Sequence, residues 1–350
     1  MATASYSRLF NTSWTLHRLS PLHHKKDCES LLNNQSALNT YATRLRDQLT
    51  GDVLAGLQAT ASAADDDALS KTGSLKECKW QCISAGSSTR DASPSRRAAT
   101  SPFPGILVTL QYENITYEAA LLAEADSNAQ REPREGSTYL PLLLTKCPNA
   151  LRQTLISFLS SNFDTYCAPL RLPSAFLCQG LEIFVDVLRS ESTSDEIVED
   201  VIKELQLTLA FSALIAPALR TLNVSISRAS LTGFLRAGKS SSRRTLKQKL
   251  DSPLIANITS YLETHLAMQL DLKGSSKNQP AKQHVRLSKA SCGAFVLGSE
   301  GRMKLVVDVS RAEDQDEDGV PARNKLVLRA SETLLRAVIS KAVIGDQSAT

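Results

Sequence analysis

The sequence has no apolar run near the ~20 residues that a bilayer-spanning helix needs, so no membrane is expected as a partner. It also lacks an even set of cysteines. Seven of them (Cys28, Cys78, Cys82, Cys147, Cys167, Cys178, Cys292) are scattered through 350 residues. An odd number at irregular spacing builds no disulfide framework and reads as reduced core thiols. Four Asn-x-Ser/Thr sequons, at Asn11, Asn114, Asn223 and Asn257, stand without a secretory signal and read as chance matches in an intracellular protein. Neither a Gly-x-Ser-x-Gly elbow nor a Ser-x-x-Lys pair occurs, so hydrolytic chemistry has no motif behind it. Strong charge of one sign is missing too. Forty basic residues against 36 acidic ones leave +4, too mild to argue for nucleic acid except through the local distribution of charge. No repeat of solenoid period is present.

What the chain does have is a dense block from Gly105 to Leu188. Ile106–Tyr112 and Ile115–Ala123 are two β-rich runs around the Glu113-Asn114 turn, the pattern of an antiparallel hairpin. Tyr139–Thr145 adds a third apolar run. Asn149–Phe163 then carries Leu151, Leu155, Phe158 and Leu159 at helical spacing. A stripe of Phe176, Leu177, Leu181, Phe184, Val185 and Leu188 marks a second helix after Pro173. Sheet followed by covering helices is α+β.

The flanks extend this order. The first 26 residues contain no acid, as in a mitochondrial presequence, but Phe10, Thr12, Trp14 and Leu16 alternate as in a strand, and the strand is the preferred reading. Ser36–Gln58 is an amphipathic helix expected to break near Gly51. Leu75–Ile83 is a strand, and 84–104 is a Ser/Arg/Pro-rich mobile loop. After a polar linker, 195–210 passes from helix to strand. Leu219–Ile226 is a strand, Ala229–Ala237 a short helix ending near Gly238, and Pro253–Met268 a longer helix. Gln269–Leu272 reads as a strand. Phe295–Gly298 and Met303–Val309 are strands across a Ser-Glu-Gly-Arg turn. An acidic loop, 313–319, precedes a terminal helix, Lys325–Ile344. The expected division is an N-terminal half, 1–190, and a C-terminal half, 191–345.

Three signals bear on chemistry. Gly233-Phe-Leu-Arg-Ala-Gly238-Lys239-Ser240 matches the P-loop pattern literally. A nucleotide hydrolase would use Lys239, Ser240 and Asp308, the last in Leu305–Asp308. Yet a P-loop needs a buried strand feeding it, whereas Arg228–Thr232 is polar and helix-like, and bulky Phe234 and Leu235 fill the loop interior. Second, Arg236, Lys239, Arg243, Arg244, Lys247 and Lys249 follow one another with no acid between them, the pattern that gains affinity for phosphate backbones by counterion release. The alternative is a solvated loop. Third, Cys78 and Cys82 form a C-x3-C pair without a second pair, which reads as core thiols beside Trp80 rather than half a zinc site. His23 and His24 lack partner ligands. No catalytic, cofactor or metal residue is expected.

A resemblance spans most of the chain. It rests on Leu9-Phe-Asn-Thr-Ser-Trp-Thr-Leu-His-Arg-Leu-Ser-Pro-Leu22, Tyr41–Gly56, Glu77-Cys-Lys-Trp80, Leu140-Pro-Leu-Leu-Leu-Thr145 and the phrase from Phe163-Asp-Thr to Leu170-Arg-Leu-Pro-Ser-Ala-Phe-Leu177. These are fold-level phrases, and together they resemble the fungal CENP-L family of the inner kinetochore. The resemblance implies a non-enzymatic nuclear scaffold without cofactors, located at the centromere. It implies a curved, largely antiparallel β-sheet packed with helices in two associated halves. It implies pairing with a CENP-N-like subunit within the constitutive centromere-associated network, beside other inner-kinetochore subunits and CENP-A nucleosomes. Partner pairing in that family uses sheet edges near the C-terminus, which makes Lys304, Val306 and Asp308 the partner-interface candidates by β-augmentation. The same run also reads as an internal core strand. Arg236–Lys249 is the candidate for centromeric nucleosomal DNA.

Overall fold

The computed structural model describes residues 3–24, 30–54, 72–83, 103–125, 136–191, 195–212, 218–241, 253–266, 285–307 and 320–344. The described residues form helices and antiparallel β-strands, an α+β arrangement, and divide by contact into two compact units. Unit 1 comprises Met1–Leu170 with Val338–Thr350, and unit 2 comprises Arg171–Ala337. The expected loop at 84–104 lies outside the described residues up to 102, and the acidic loop 313–319 and the strand expected at 269–272 lie outside them entirely.

In unit 1, a short helix α1 (Thr3–Ser7) leads into strand β1 (Ser13–Leu19). Trp14 and Leu16 bury on one face of β1, and the Trp14 indole donates to the Leu9 carbonyl at 2.9 Å. A buried indole with its N–H satisfied suits a strand. The presequence helix is therefore not what 13–19 adopts. β1 pairs with β7 (Leu142–Lys146), in register Thr15↔Thr145, and with β8 (Cys167–Pro169), in register His17↔Pro169. Beyond β7 lie β5 (Thr116–Leu122), β4 (Gly105–Tyr112) and β3 (Leu75–Ile83), giving the order β8-β1-β7-β5-β4-β3. A two-stranded ribbon pairs β2 (Leu22–His23) with β6 (Ser137–Thr138). The β4–β5 hairpin closes around Glu113-Asn114, with Tyr112 N–H on the Ile115 carbonyl at 2.9 Å. The Ser74 hydroxyl and amide hold the Glu113 carboxyl below its ordinary pKa. Gly73, at φ +77°, turns the chain where a Cβ would collide with Glu113.

Helices α2 (Gln35–Leu54) and α3 (Asn149–Phe163) contribute to the apolar core of this sheet. Leu38, Tyr41, Leu45 and Leu49 of α2 bury at three- and four-residue steps. The helix does not break at Gly51; it runs to Leu54, because a glycine weakens a helix without removing its hydrogen bonds. Trp80 of β3 sits among Tyr41, Phe158 and Phe163, with ring centroids 6.1 to 6.3 Å away. Cys78 and Cys82 pack partly buried against the same core, as expected for structural thiols.

In unit 2, α4 (Ser174–Glu191) and α5 (Asp195–Ile202) precede β9 (Leu205–Phe211) and β10 (Thr221–Ile226). Then come α6 (Arg228–Ser241), α7 (Pro253–Leu266), β11 (Val285–Ser291), β12 (Phe295–Gly298), β13 (Arg302–Leu305) and α8 (Val320–Ile344), whose final turns from Val338 group with unit 1. The strand order is β10-β9-β11-β12-β13. Leu205, Leu207 and Leu209 of β9, with Leu287, Ala290, Leu297, Met303 and Leu305, make one buried face. Phe184 of α4 meets Phe295 edge-on at 4.9 Å. Gly180 allows the close approach of α4, since a Cβ there would lie 3.2 Å from Leu297 and 3.1 Å from Leu334. β11 departs from what the sequence led one to expect: 285–291 was not legible as a strand.

The core of unit 1 yields two tests. Replacing Trp80 with Ala removes the hub of its aromatic cluster and should cost about 3–5 kcal/mol in chemical denaturation, whereas Trp80→Phe should cost less. His17 is buried, its Nδ1 lacks a partner, and burial, then the Arg152 guanidinium, push its pKa down to about 4. A depressed histidine is neutral in the fold and gains a proton on unfolding, so stability falls as pH drops below 6.5. Between pH 6.5 and 5 the loss should be roughly 2 kcal/mol. His17→Gln should flatten that dependence in urea titrations run at both pH values.

Candidate functional site

Among the described residues, those singled out by sequence fall in two places, on α6 and at the end of β13. The P-loop match lies within α6, a continuous helix from Arg228 to Ser241. Helical backbone amides are committed to carbonyls one turn back, so they cannot wrap a phosphate as a glycine-rich loop does. Gly233 has no positive φ, and a Cβ there would meet nothing within 4 Å. The helix also passes through Gly238, where a stop was expected. Arg236 and Lys239 lie on its C-terminal half, while Arg243, Arg244, Lys247 and Lys249 lie outside the described residues. Asp308, the acidic partner of the hydrolase reading, lies outside them as well. Lys304 is half-buried on β13 opposite Val296. Val306 follows the strand, with its N–H on the Ala294 carbonyl at 2.8 Å and its side chain 36% exposed. The strand expected over Met303–Val309 thus ends at Leu305.

Among the described residues, the buried His24 ring meets the Thr138 hydroxyl at 2.9 Å through Nε2. Burial pushes Cys78, Cys147 and Cys167 up to about 12 and Cys292 to about 11, which keeps these thiols protonated and poorly nucleophilic. Among the described residues no group of three His, Cys, Asp or Glu side chains is placed to hold a metal. No described helix is long and apolar enough to cross a membrane.

The structure brings together a feature that sequence reasoning missed. β10 is the outermost strand of unit 2 among the described residues, and its sequence, Thr-Leu-Asn-Val-Ser-Ile, carries no charge. Outer strands are normally guarded by charged side chains against pairing with another chain. The outermost strand β3 of unit 1 is guarded in this way by Lys76, Glu77 and Lys79, with Lys79 Nζ 2.6 Å from Glu77 Oε2. Beside β10 opens a groove of about 610 Å³, walled by Val224 and Ile226 of β10, Phe234 of α6, and Ile258, Tyr261 and His265 of α7. Asn257 ties the two helices together, its amide donating to the Phe234 carbonyl at 2.9 Å. Tyr261 stacks edge-on to Phe234 at 5.5 Å and lies 4.2 Å from His265, yet remains 50% exposed. The sequence signal available was the uncharged alternation of 221–226 itself.

The helical placement of 233–240 has a direct test. Gly233→Ala should leave the fold intact and stabilise unit 2 by about 0.5–1 kcal/mol, measured by urea denaturation. A phosphate loop would instead be strained by it.

A model of the centromere protein L family, CENP-L, matches residues 8–343. No curated protein matches the chain. The matched span holds both units almost entire, from β1 through all but the last residue of α8. The chain accordingly belongs to the CENP-L family, a structural family of inner kinetochore subunits of the centromere in the nucleus.

Proposed function

We propose that the chain works by assembly, pairing one to one with a CENP-N-like subunit through a sheet edge of unit 2 and so building the inner kinetochore on CENP-A chromatin. The observation that carries this reading is the uncharged outer strand β10 beside an open apolar groove. An extended partner segment added to β10 would gain main-chain hydrogen bonds, and its alternate side chains would enter the groove between α6 and α7. Val306, exposed beyond β13, is a second contact in this proposal. Lys304 and Asp308 flank it in sequence. The same reading sets the pair beside nucleosomal DNA, supported by the acid-free run from Arg236 to Lys249.

Co-expression with the CENP-N-like protein of the same organism, followed by size exclusion, tests the pairing. A stable one-to-one complex is expected. Tyr261→Asp, at a half-exposed side chain that the fold does not bury, should weaken it by at least ~10-fold. Should Val306→Asp abolish the complex while Tyr261→Asp leaves it intact, the edge at β10 is the wrong one.

A further inference from the structure

Helix α2 and the outer strand β3 of unit 1 leave a space between them near the start of β3. It is a pocket of about 450 Å³, open to solvent. Thr43 and Arg46 of α2 line it on one side, Lys76 and Cys78 of β3 on the other, and Gln111 of β4 completes it. Ala42, buried on the same turn of α2, offers only a methyl group, which leaves the space unfilled. The strand has its own reason for lining the pocket. Its register against β4 shifts between Leu75 and Glu77, so Lys76 is an extra residue in the ladder. A bulge of this kind re-aims a side chain.

The charges around the pocket leave donors to spare. Arg46 donates through Nε and Nη2 to Asp47, its exposed chain neighbour, at 3.3 and 3.1 Å, which leaves Nη1 uncommitted among the described residues. Lys76 makes no ion pair or side-chain hydrogen bond among the described residues, and the Gln111 amide makes no hydrogen bond. The nearby acids are engaged with other groups. Glu77 meets Lys79 Nζ at 2.6 Å, and the Glu113 carboxyl accepts from the Ser74 hydroxyl at 2.8 Å and its amide at 3.3 Å. The Cys78 thiol stays protonated because burial outweighs the nearby Arg46 charge, so it puts no negative charge in the pocket.

Two cations and a free amide thus border a recess that holds no anion of its own. A phosphate monoester, with nearly two charges and three acceptor oxygens at neutral pH, matches that set. A carboxylate, with one charge, would use only half of it. A nucleic-acid backbone fits less well. Its phosphates come in a line, whereas Asp47, Glu77 and Glu113 flank this single recess and repel the neighbouring charges. The pocket lies on the outermost described strand of unit 1, so a polypeptide can approach from outside the sheet and reach in with one side chain.

We propose that the pocket bordered by Arg46, Lys76 and Gln111 is a recognition site for a phosphorylated serine or threonine side chain of another polypeptide. This goes beyond the pairing at unit 2 and does not depend on it. Arg46 and Lys76 supply the charge, and the Gln111 amide supplies a directional donor. The flanking acids select the context, attracting basic residues on either side of the phosphorylated one.

The test is fluorescence anisotropy of the full chain with short labelled peptides that carry a central phosphoserine flanked by lysine, alanine or aspartate. The lysine-flanked phosphopeptide should bind with a Kd below ~1 mM, and the aspartate-flanked one at least ~10-fold more weakly. The lysine-flanked peptide with unmodified serine should also bind at least ~10-fold more weakly. Arg46→Gln with Lys76→Gln should weaken phosphopeptide binding by more than ~10-fold. Gln111→Glu, which puts a carboxylate into the pocket without touching the core, should do the same. Arg171→Gln, at an exposed cation of unit 2, should change nothing. All four side chains are exposed, and circular dichroism with urea denaturation checks that the variants fold. Equal binding of serine and phosphoserine peptides overturns the proposal. So does phosphopeptide affinity unchanged by Arg46→Gln with Lys76→Gln, or no phosphopeptide binding at ~1 mM. Displacement of the phosphopeptide by inorganic phosphate at equal concentration assigns the pocket to free phosphate and overturns a polypeptide as its source. Tighter binding of a mixed-sequence duplex, lost in the same variants, overturns it in favour of nucleic acid.

Discussion

The constraint on which unit 2 depends is the two-sidedness of an antiparallel sheet. Once Leu205, Leu207 and Leu209 of β9 turn inward, every residue paired across from them is committed to the same face. Ala290, Leu297 and Met303 form one inward row because their registers align. Phe184 and Phe295 close the apolar layer on that side, and Gly180 lets α4 approach closely enough for Leu297 and Leu334 to touch it. The outward rows inherit whatever the alternation leaves, as Arg302 and Lys304 of β13 do beside the buried Met303 and Leu305. Core packing and surface chemistry are therefore one decision read from two sides.

Unit 1 solves a similar problem with aromatic residues. Tyr41, Trp80, Phe158 and Phe163 come from α2, β3 and α3, and they meet beneath one sheet. A strand that holds a tryptophan at its centre is anchored by a large buried surface, which fits the guarded, charged outer edge of β3. Where β3 is defended against pairing, β10 is not. The same protein thus treats its two outermost described strands differently.

The P-loop match shows how far a local pattern reaches. Gly233, Gly238 and Lys239 stand at the right intervals, yet the chain there is already helical from Arg228 onward. Thr232 donates to Glu199 at 2.6 Å, which fixes α6 against α5. Spacing along a sequence says nothing about which backbone groups are free, and a helix leaves none in its interior.

Much of the fold was legible because the relevant signals are local. β3 and α3 stand at the boundaries that alternation and helical spacing mark, and β4 and β5 within one residue of them, since burial on one face imposes a period of two or 3.6 on a few consecutive residues. The apolar character of α4 and the uncharged run of β10 are likewise properties of the chain itself. β11 was hidden for a physical reason. A register shift between Leu287 and Lys289 inserts an extra residue, so Leu287 and Ala290 both face inward three positions apart, and the period of two is lost. The groove between α6 and α7 and the pocket between α2 and β3 are also absent from any local pattern. Arg46 is separated from Lys76 and Gln111 by long stretches of chain, and only the packing of α2 on β3 and the register of β3 with β4 set them side by side. The sequence by itself determined which short segments could be strands or helices; tertiary structure alone decided which side chains share a face, because pairing between distant segments is a long-range choice.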